Sequence, residues 1–505
     1  MMSIFDTGPH VPCPTPFNMA AHVMRHSAIT PDKIALQVLH PDHNENWTYH
    51  DLENAVRGIA TGLLDRGAKA GDLILMRLGN TVDYPLTYLG ALAAGLVPVP
   101  TSAALTLPEV TRIIDDLSPR FIVRDQDVAC PATDTQIDLS QLQAMRNLPP
   151  APYHMGDPER LGYVVYTSGT SGKPRPVAHA HRAIWARQMM FEGWYGLRHD
   201  DRLLHAGAFN WTYTMGTGLM DPWTIGATAM IPAAGTPSDT LPSLLATNGA
   251  TIFAAAPGVY RQLLNGTQPI HLPDLRHGLS AGEKLPAGTR QAWTAATGTP
   301  IFEAYGMSEC STFLSGSPSN PAQDGRLGQP QNGRRLAILG PDGPVARGAE
   351  GTIAIHRSDQ GLMLGYLNAP DETAAKMQGD WFLTGDQGIM FEDDQISYLG
   401  RDDDMMNAGG YRVSPIEVEQ GFAGAHGITA MAATEVEVKQ DTFVIAAFYT
   451  APAPVDETVL KAHAAKNLAR YKQPRLYIHV DALPMGPNGK ILRKVLREGF
   501  APTPN

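Results

Sequence analysis

Strand patterns and helix patterns alternate along most of this chain. Residues 50–66 carry leucine, isoleucine and valine at helical spacing, and Gly67 ends the pattern. An apolar run at 73–76 indicates a strand, 84–94 indicates another helix, and 161–166 indicates a buried strand that leads into a glycine-rich turn. Because repeated strand–turn–helix units pack as helices on largely parallel sheets, the sequence predicts an α/β fold.

A change of pattern near residue 400 predicts a domain boundary. Beyond it, the sequence indicates strands at 442–449 and 476–480 around a helix at 459–468. We expect a large N-terminal domain of layered α/β sheets at 1–401. A small α+β C-terminal domain at 402–505 follows, joined by a hinge.

Composition narrows the function classes. The 505 residues include 39 Lys plus Arg and 50 Asp plus Glu, a net charge of −11 that argues against nucleic acid as a partner. Three cysteines, Cys13, Cys130 and Cys310, form no CxxC pair, which disfavours a disulfide scaffold or a zinc site. The first residues lack a secretory signal pattern, and no apolar run is long enough to span a membrane. We therefore expect a cytoplasmic protein.

A loop of small polar residues follows the strand at 161–166. Residues 167–172 are only Ser, Thr and Gly, and Lys173 and Arg175 add positive charge. Backbone N–H groups and hydroxyls in such a loop can cradle a polyphosphate. The loop is not a Walker A motif, because Pro174 follows Lys173, and no GxGxxG occurs. A flexible turn is the alternative interpretation.

Five segments stand out in order along the chain. They are YTSGTSGKPRPV at 166–177, AYGMSE at 304–309, WFLTGD at 381–386, GRDDDMMNAGGYRVSPIEVE at 400–419 and LPMGPNGKILR at 483–493. These strings and their order resemble the motifs of the adenylate-forming superfamily. That superfamily includes acyl-CoA synthetases, nonribosomal-peptide adenylation domains and luciferases.

A competing motif lies at 278–282. Its string, GLSAG, matches the GxSxG nucleophile elbow of α/β-hydrolases, with Ser280 as the nucleophile. The preceding LPDLRHGL has a poor strand pattern, so the elbow context is not expected. In the superfamily that the chain resembles, residues 280–283 line the adenine pocket.

The resemblance implies a reaction in two half-steps. A carboxylate attacks the α-phosphorus of ATP and gives an acyl-adenylate and pyrophosphate. A thiol, most often that of coenzyme A, then displaces AMP. The implied cofactors are ATP, Mg²⁺ and coenzyme A, and the implied partners are small molecules, including the carboxylic acid.

The resemblance also implies roles for residues at the nucleotide. Residues 167–175 hold the β- and γ-phosphates, Ser308 reaches the α-phosphate, and Glu309 with Thr167 serves Mg²⁺. Asp386 accepts the ribose hydroxyls and Arg401 donates to the ribose. The residues implied in ATP or AMP binding are Thr167, Ser168, Gly169, Thr170, Ser171, Gly172, Lys173, Arg175, Gly282, Glu283, Glu303, Ala304, Tyr305, Gly306, Met307, Ser308, Asp386 and Arg401.

The C-terminal motifs imply a domain that swings. Lys490 matches the lysine that bridges the carboxylate and the α-phosphate during adenylation, so the catalytic set is Lys490, Glu309, Ser308 and Thr167. Asp403 falls at the hinge position. The coenzyme A passage is implied at Gly409, Gly410 and Arg412, a loop that replaces Lys490 at the site in the thiol step.

Two features depart from the family pattern. Arg175-Pro176 stands where the family has Lys-Gly, and Met406-Asn407 where Ile-Lys is usual. Arginine keeps the charge but binds phosphate differently, and proline stiffens the loop. A catalytically impaired nucleotide-binding protein is the alternative from another class.

The acid is less readable from the sequence. Residues 209–227 should line its pocket with Asn210 and Trp211, and they resemble medium-chain acyl-CoA synthetases, whereas 80–106 resemble benzoate-CoA ligases. Gly306 stands where acetyl-CoA synthetases have a pocket-shortening Trp. Residues 206–220 hold no acidic group for an amino-acid amine. We expect an aromatic or medium-chain acid. A carrier-protein phosphopantetheine as acceptor, and a homodimer, stay open.

Overall fold

The computed structural model describes residues 1–167, 175–266, 270–282, 284–408, 411–425, 427–439, 442–468, 470–486 and 490–500. For Thr167, Asp403 and Arg412 the backbone alone is described. These residues divide into two compact units. The larger unit comprises Phe5–Arg335 and His356–Asp380, and the smaller comprises the described parts of Met1–Ile4, Leu336–Ile355 and Trp381–Asn505.

The largest sheet of the larger unit has nine strands among the described residues. In spatial order they are Gln329–Pro330, Ser311–Ser315, Ile301–Met307, His277–Ala281, Ile252–Ala255, Arg202–His205, Thr228–Pro232, Ile34–Leu39 and Asn44–Thr48. The six from Ile301–Met307 to Ile34–Leu39 are parallel. This agrees with the predicted α/β class. Their carboxyl ends share one edge, where open α/β sheets bind ligands.

Two smaller sheets complete the strands of this unit. A parallel one contains Val97–Pro100, Leu73–Arg77, Phe121–Arg124 and Gln136–Asp138. The other is antiparallel and contains Gly365–Tyr366, Arg175–Ala180 and Leu161–Thr167. The predicted strands at 73–76 and 161–166 are confirmed.

Helices cover the sheets where the apolar spacing predicts them. The helix predicted at 50–66 is Tyr49–Asp65, begun by a capping box between Thr48 and Asp51, and the one predicted at 84–94 is Asp83–Ala93. Asp83–Ala93 is buried along its whole length. The other helices of the larger unit are Met19–Val23, Leu107–Leu117, Leu139–Met145, Ala183–Ala186, Asp221–Ile225, Leu241–Thr247, Pro257–Leu264, Ala287–Thr297 and Pro370–Ala374, with π-turns at Phe191–Tyr195 and Thr214–Met220 and 3₁₀ turns at Arg25–Ala28 and Ser238–Thr240.

The smaller unit is built mainly from antiparallel strands. One sheet contains Arg335–Gly340, Gly343–Pro344, Glu350–His356, Trp381–Met390 and Ile396–Arg401. Met406–Ala408 pairs with Tyr411–Val413, and Ala430–Lys439, Thr442–Thr450 and Leu476–His479 form a third sheet. The helices of the smaller unit are Pro415–Gly421, Glu457–Asn467 and Arg493–Gly499, and its 3₁₀ turns are Asp402–Asp404 and Arg470–Lys472. Two further short strands of the chain are Ile4–Asp6 and Met377–Gln378.

The elements predicted at 442–449, 459–468 and 476–480 are therefore confirmed. The boundary at 401/402 stays a prediction. Among the described residues, no helix combines the length and the apolar character that crossing a bilayer requires.

Candidate active site

A tight turn joins two strands at the edge of the nine-stranded sheet. Strand Ile301–Met307 runs into Ser308, Glu309 and Cys310 and returns as antiparallel Ser311–Ser315. Ser311 adopts a left-handed φ of 61°, a conformation that non-glycine residues keep only where neighbours hold it. The predicted α-phosphate and Mg²⁺ residues thus share one turn, which we call the 308–311 turn.

Residues distant in sequence fix this turn through side-chain and backbone hydrogen bonds. The Nε2–H of His179 donates to the Ser308 carbonyl over 2.7 Å, and the Met363 N–H donates to the Glu309 carbonyl over 2.7 Å. The Arg187 guanidinium donates to Ser311 Oγ. Burial lowers the pKa of His179 to about 4, so this histidine is neutral near pH 7. The turn is preorganised, as a site that stabilises developing charge requires.

The Glu309 carboxylate is oriented by a tyrosine. Tyr366 Oη donates to Glu309 Oε1 over 2.8 Å, and Glu309 is only 9% exposed. The Arg175 guanidinium lies 5.3 Å from the centre of the Tyr366 ring, and Arg175 Nε is 2.8 Å from Glu372 Oε2. Burial and the adjacent Glu309 charge raise the pKa of Tyr366, which keeps its phenol protonated as a donor.

Mg²⁺ suits Glu309 by the chemistry of the donor. A carboxylate oxygen is the hard ligand that Mg²⁺ prefers. Among the described residues no group of three or more His, Cys, Asp and Glu side chains could hold a metal ion.

Cys310, a residue of the 308–311 turn, lies beside a buried ion pair. Arg334 Nη1 is 2.6 Å from Asp359 Oδ1, and both side chains are completely buried. Cys310 Sγ is 3.7 Å from Arg334 Nη1 and 3.8 Å from Asp359 Oδ1. Burial and the nearby Asp359 raise the pKa of the Cys310 thiol, which favours its protonated form.

Glu303 and Tyr305 were both expected along the adenine. Glu303 is fixed by hydrogen bonds, whereas Tyr305 packs against an aromatic ring. Glu303 Oε1 accepts from the Leu285 N–H over 2.9 Å, and Oε2 accepts from Arg290 over 2.8 Å. Burial raises the pKa of Glu303. Its carboxylate thus anchors the residues that follow Gly282, whereas Tyr305 packs edge-on against Phe313 with ring centres 5.3 Å apart.

The predicted phosphate loop connects two strands. Thr167 at the end of Leu161–Thr167 pairs with Arg175 at the start of Arg175–Ala180. After the loop the described chain resumes as an antiparallel strand. Six predicted phosphate ligands lie outside the described residues, namely Ser168, Gly169, Thr170, Ser171, Gly172 and Lys173.

The GxSxG motif also differs from expectation. Of the segment judged a poor strand, 272–279, only the last three residues lie in a strand, the parallel strand His277–Ala281; Ser280 also lies inside this strand and is fully buried. Flanking parallel strands supply the pairing that the amphipathic pattern lacks. A nucleophile elbow needs its serine exposed on a turn, so the hydrolase interpretation stays rejected for a new reason. Gly282 follows with φ of 96°, and Glu283 lies outside the described residues.

In the smaller unit, the predicted ribose residues are cross-strand partners. Asp386 on Trp381–Met390 is in register with Arg401 on Ile396–Arg401. Arg401 Nη1 is 3.5 Å from Asp386 Oδ1, and Asp386 is buried. The Asp386 carboxylate, a hydrogen-bond acceptor, and the Arg401 guanidinium, a donor, therefore lie side by side, which suits a ligand with two neighbouring hydroxyls.

The other C-terminal candidates lie in the same unit. Lys490 is exposed, and its carbonyl accepts from the Gly486 N–H over 2.7 Å. Asp403 lies in the 3₁₀ turn Asp402–Asp404, and Arg412 is on a strand in register with Asn407. Gly409 and Gly410 lie outside the described residues.

Residues 23–367 match the model of a family described as AMP-binding enzyme. The match spans more than half of the 505 residues. The chain belongs to the AMP-binding enzyme family. The predicted superfamily is thereby confirmed, and so is the prediction that the chain is an enzyme.

Relatives of this AMP-binding enzyme cover nearly its whole length. It is 27% identical over 492 residues to the benzoate–CoA ligase of Thauera aromatica, across 90% of this chain and 91% of that protein. It is 27% identical over 530 residues to the mitochondrial acyl-coenzyme A synthetase ACSM2A of Homo sapiens, across 97% and 92%. The crystal structure of the anthranilate CoA ligase AuaEII in complex with anthranoyl-AMP matches with a TM-score of 0.85 and 25% identity, across 96% and 98%.

The predicted acid pocket of this AMP-binding enzyme adjoins the predicted adenine segment. A Cβ placed on Gly282 would lie 3.6 Å from the Trp211 ring. Trp211 meets Tyr213 edge-on with ring centres 5.0 Å apart, and both flank the fully buried His205. Burial lowers the pKa of His205 to about 3, so the group is neutral. Asn210 is half-buried beside Trp211.

A side chain at Gly306 would be directed into the hairpin that contains this residue. A Cβ there would lie 2.2 Å from the Ser311 carbonyl oxygen and 2.5 Å from Thr312 Cα. The Trp that acetyl-CoA synthetases carry at this position would therefore collide with the backbone here. A substitution at Gly306 would report on the 308–311 turn as well as on the pocket.

Sequence reasoning missed the side chains that hold the turn. His179 and Tyr366 carry no motif, although the Ala-His alternation at 178–181 marks buried histidines in a strand. Tyr366 lies in a two-residue strand without a periodic pattern. Their roles depend on contacts between segments far apart in the sequence.

Proposed function

We propose that this AMP-binding enzyme is an AMP-forming acid–thiol ligase. It would join a carboxylic acid to ATP, release pyrophosphate and pass the acyl group from the adenylate to coenzyme A. The observation that carries the proposal is the 308–311 turn, which fixes the Glu309 carboxylate one side chain away from Arg175. Because Arg175 is the last residue of the predicted phosphate-binding segment 167–175, Glu309 and this segment would act on the same triphosphate.

The groups of the turn would act on the nucleotide. Exposed Ser308 would donate its hydroxyl to the α-phosphate, and Glu309 would hold Mg²⁺, which supplies charge neutralisation when bound. Thr167 and the loop would hold the β- and γ-phosphates through backbone N–H groups. Because an antiparallel strand follows the loop, these amides would do so without a helix dipole.

The smaller unit would supply the ribose and adenylation contacts. Asp386 and Arg401 would take the ribose, as their cross-strand pairing supports. The exposed Lys490 ammonium would bridge the acid carboxylate and the α-phosphate and so reduce their repulsion. A rotation about Asp403 would then bring the 409–412 segment to the site for the thiol step.

The acid we propose is aromatic, with a medium-chain acid as the other outcome of the test. Trp211, Tyr213 and His205 form a cluster of edge-on rings, which favours another flat ring. Relatives of this chain are named as a benzoate–CoA ligase and as an acyl-coenzyme A synthetase.

An amino acid does not suit the described residues of this region. Asp221 is the first carboxylate after 206–220, and its oxygens are 2.6 and 2.8 Å from the Arg187 guanidinium. Tyr195 Oη also donates to Asp221 over 2.7 Å. A carboxylate so engaged has little capacity for a substrate amine.

Pyrophosphate release tests the proposal. The purified enzyme is given ATP and Mg²⁺ with acids from acetate to decanoate, benzoate, substituted benzoates, phenylacetate and several amino acids, each with and without coenzyme A. We expect coenzyme A-dependent turnover on one aromatic class. Release that coenzyme A does not accelerate would indicate a carrier-protein acceptor, and no release on any acid would contradict the proposed ligase.

A further inference from the structure

The 3₁₀ turn that contains the predicted hinge is anchored by a carboxylate on each side. Asp402 Oδ1 accepts from Gln387 Nε2 over 3.2 Å, which ties it to strand Trp381–Met390. Asp404 instead contacts residues near the C-terminal end of the chain. Its Oδ1 lies 3.5 Å from Arg497 Nη2, and its Oδ2 lies 3.7 Å from Arg493 Nη1. The two neighbours of Asp403 are thus held by different elements.

The helix that contacts Asp404 begins shortly after Lys490 in the sequence. Helix Arg493–Gly499 begins three residues after this lysine. The Leu492 N–H donates to the Pro484 carbonyl over 2.8 Å, and the Gly486 N–H donates to the Lys490 carbonyl over 2.7 Å. These bonds hold the backbone of Lys490 and that of Leu492, the residue before the helix, against the same segment, Pro484–Gly486.

Arg493 ties the same helix to the body of the C-terminal segment. Its Nη2 is 2.7 Å from Glu419 Oε1, and its Nε donates to the Ala433 carbonyl over 3.1 Å. Glu419 Oε1 also accepts from the Ala433 N–H over 2.8 Å. Asp404 therefore contacts a helix whose own position is fixed.

We propose that Asp404 is a positioning residue for adenylation. Its carboxylate couples the C-terminal side of the hinge to the helix behind Lys490, so a rotation about Asp403 carries the ammonium to a defined place. Asp402 holds the other side to the sheet and limits the pivot to the residue between them. This inference rests on the proposed function, in which Lys490 serves adenylation and not thiol transfer.

The ion pairs of Asp404 are suited to positioning the C-terminal helix rather than to stabilising the fold. The Asp404 side chain is 23% exposed and that of Arg497 is 29% exposed. Partly exposed pairs of this kind contribute little to the free energy of unfolding. Their loss should leave the fold intact, whereas a displacement of about 1 Å at a reacting group costs up to about 100-fold in rate.

The test separates the two half-reactions in the full-length enzyme. Adenylation is followed as pyrophosphate release in one turnover with acid, ATP and Mg²⁺ and without coenzyme A. Thiol transfer is followed as acyl-CoA formation from supplied acyl-adenylate. For Asp404→Asn we expect adenylation to slow by about 10- to 100-fold and thiol transfer to change less than about twofold.

Two further variants sharpen the result. Arg497→Ala should reproduce the selective loss, and in combination with Asp404→Asn it should add little, because both remove one contact. Lys494→Ala is the matched control, since Lys494 lies on the same helix, is 68% exposed and pairs with Glu498. Asp404→Glu should recover most of the adenylation rate.

The outcomes are distinguishable. Equal losses in both half-reactions, or normal rates in Asp404→Asn and Arg497→Ala, would overturn the positioning role. If Asp404→Asn does not fold, Arg497→Ala against Lys494→Ala decides alone. A wild-type enzyme that performs neither half-reaction would instead overturn the proposed function.

Discussion

Tyr366 donates a hydrogen bond to the Glu309 carboxylate over 2.8 Å across a separation of 57 residues in sequence. The guanidinium of Arg175 lies against the same tyrosine ring. One phenol therefore contacts both the end of the predicted phosphate loop and the predicted metal ligand. The orientation of Glu309 depends on Tyr366 as much as on its own strand.

Removing the Tyr366 hydroxyl should weaken the use of Mg²⁺. A hydrogen bond to a charged group contributes about 1.5–3 kcal/mol, so Tyr366→Phe should raise the Mg²⁺ concentration for half-maximal pyrophosphate release by about tenfold or more. The measurement is a Mg²⁺ titration at fixed ATP. Tyr477→Phe is the control, because the buried Tyr477 hydroxyl has no partner among the described residues. Superimposable titration curves for wild type and Tyr366→Phe would contradict the role.

Lys490→Ala should separate the half-reactions. Loss of one charge-stabilising contact costs about 3–4 kcal/mol, so adenylation should fall by about 100- to 1,000-fold while thiol transfer from supplied acyl-adenylate stays near the wild-type rate. Because Lys490 is exposed, the melting temperature should not change. Equal loss of both activities would argue against an adenylation lysine, and the exposed Lys494→Ala serves as the charge control.

Gly306→Ala should destabilise the 308–311 turn. Its Cβ would stand 2.2 Å from the Ser311 carbonyl oxygen, a backbone atom that cannot move without the hairpin. Overpacking of this kind costs about 1–3 kcal/mol in the free energy of unfolding. Denaturant titration compares it with Gly288→Ala, where a Cβ has no heavy atom within 4 Å. A stability equal to that of the control would contradict the contact.

Acid should destabilise the protein through its buried histidines. Burial lowers the pKa of His179 to about 4 and that of His277 to about 4. Between these values and the unfolded pKa of about 6.5, the unfolded chain binds protons that the folded chain excludes. The stabilising effect is complete above about pH 6.5, and each such histidine loses about 1.4 kcal/mol per unit as the pH falls toward 4.

Denaturant titrations from pH 7.5 to 5 measure this slope. His179→Gln keeps a donor for the Ser308 carbonyl but removes one titrating group, so its slope should be shallower than that of the wild type. His50→Gln is the control, because the His50 side chain is 61% exposed. An unchanged slope in His179→Gln would show that this imidazole does not titrate below its normal range.

The sequence predicts the local elements well, because their patterns are local. The Tyr49–Asp65 helix follows from apolar spacing and a Thr48 cap, and the Thr442–Thr450 strand from an apolar run. The strand around Ser280 was missed because its polar and small residues are buried by parallel neighbours on both sides. Pairing partners, and not intrinsic propensity, decide such a strand.

The candidate site is predictable only in part for the same reason. Motifs identify Ser308 and Glu309, but the hydrogen bond from His179 to Ser308 joins residues 129 apart. The pairing of Thr167 with Arg175, which joins the strands on either side of the phosphate loop, has no local pattern that indicates it. Patterns within one segment of a sequence give no information about contacts between residues so far apart.

The buried pair of Arg334 and Asp359 and the bond between Glu309 and Tyr366 affect how the chain matures on the ribosome. Synthesis proceeds from the N-terminus, so Glu309 and Arg334 emerge before Asp359 and Tyr366. Until the later residues arrive, burying the earlier charges would leave them uncompensated, which is strongly unfavourable. Closure of this region before residue 366 has left the exit tunnel is therefore disfavoured. A chain released before that point would lack the hydrogen bond that orients Glu309.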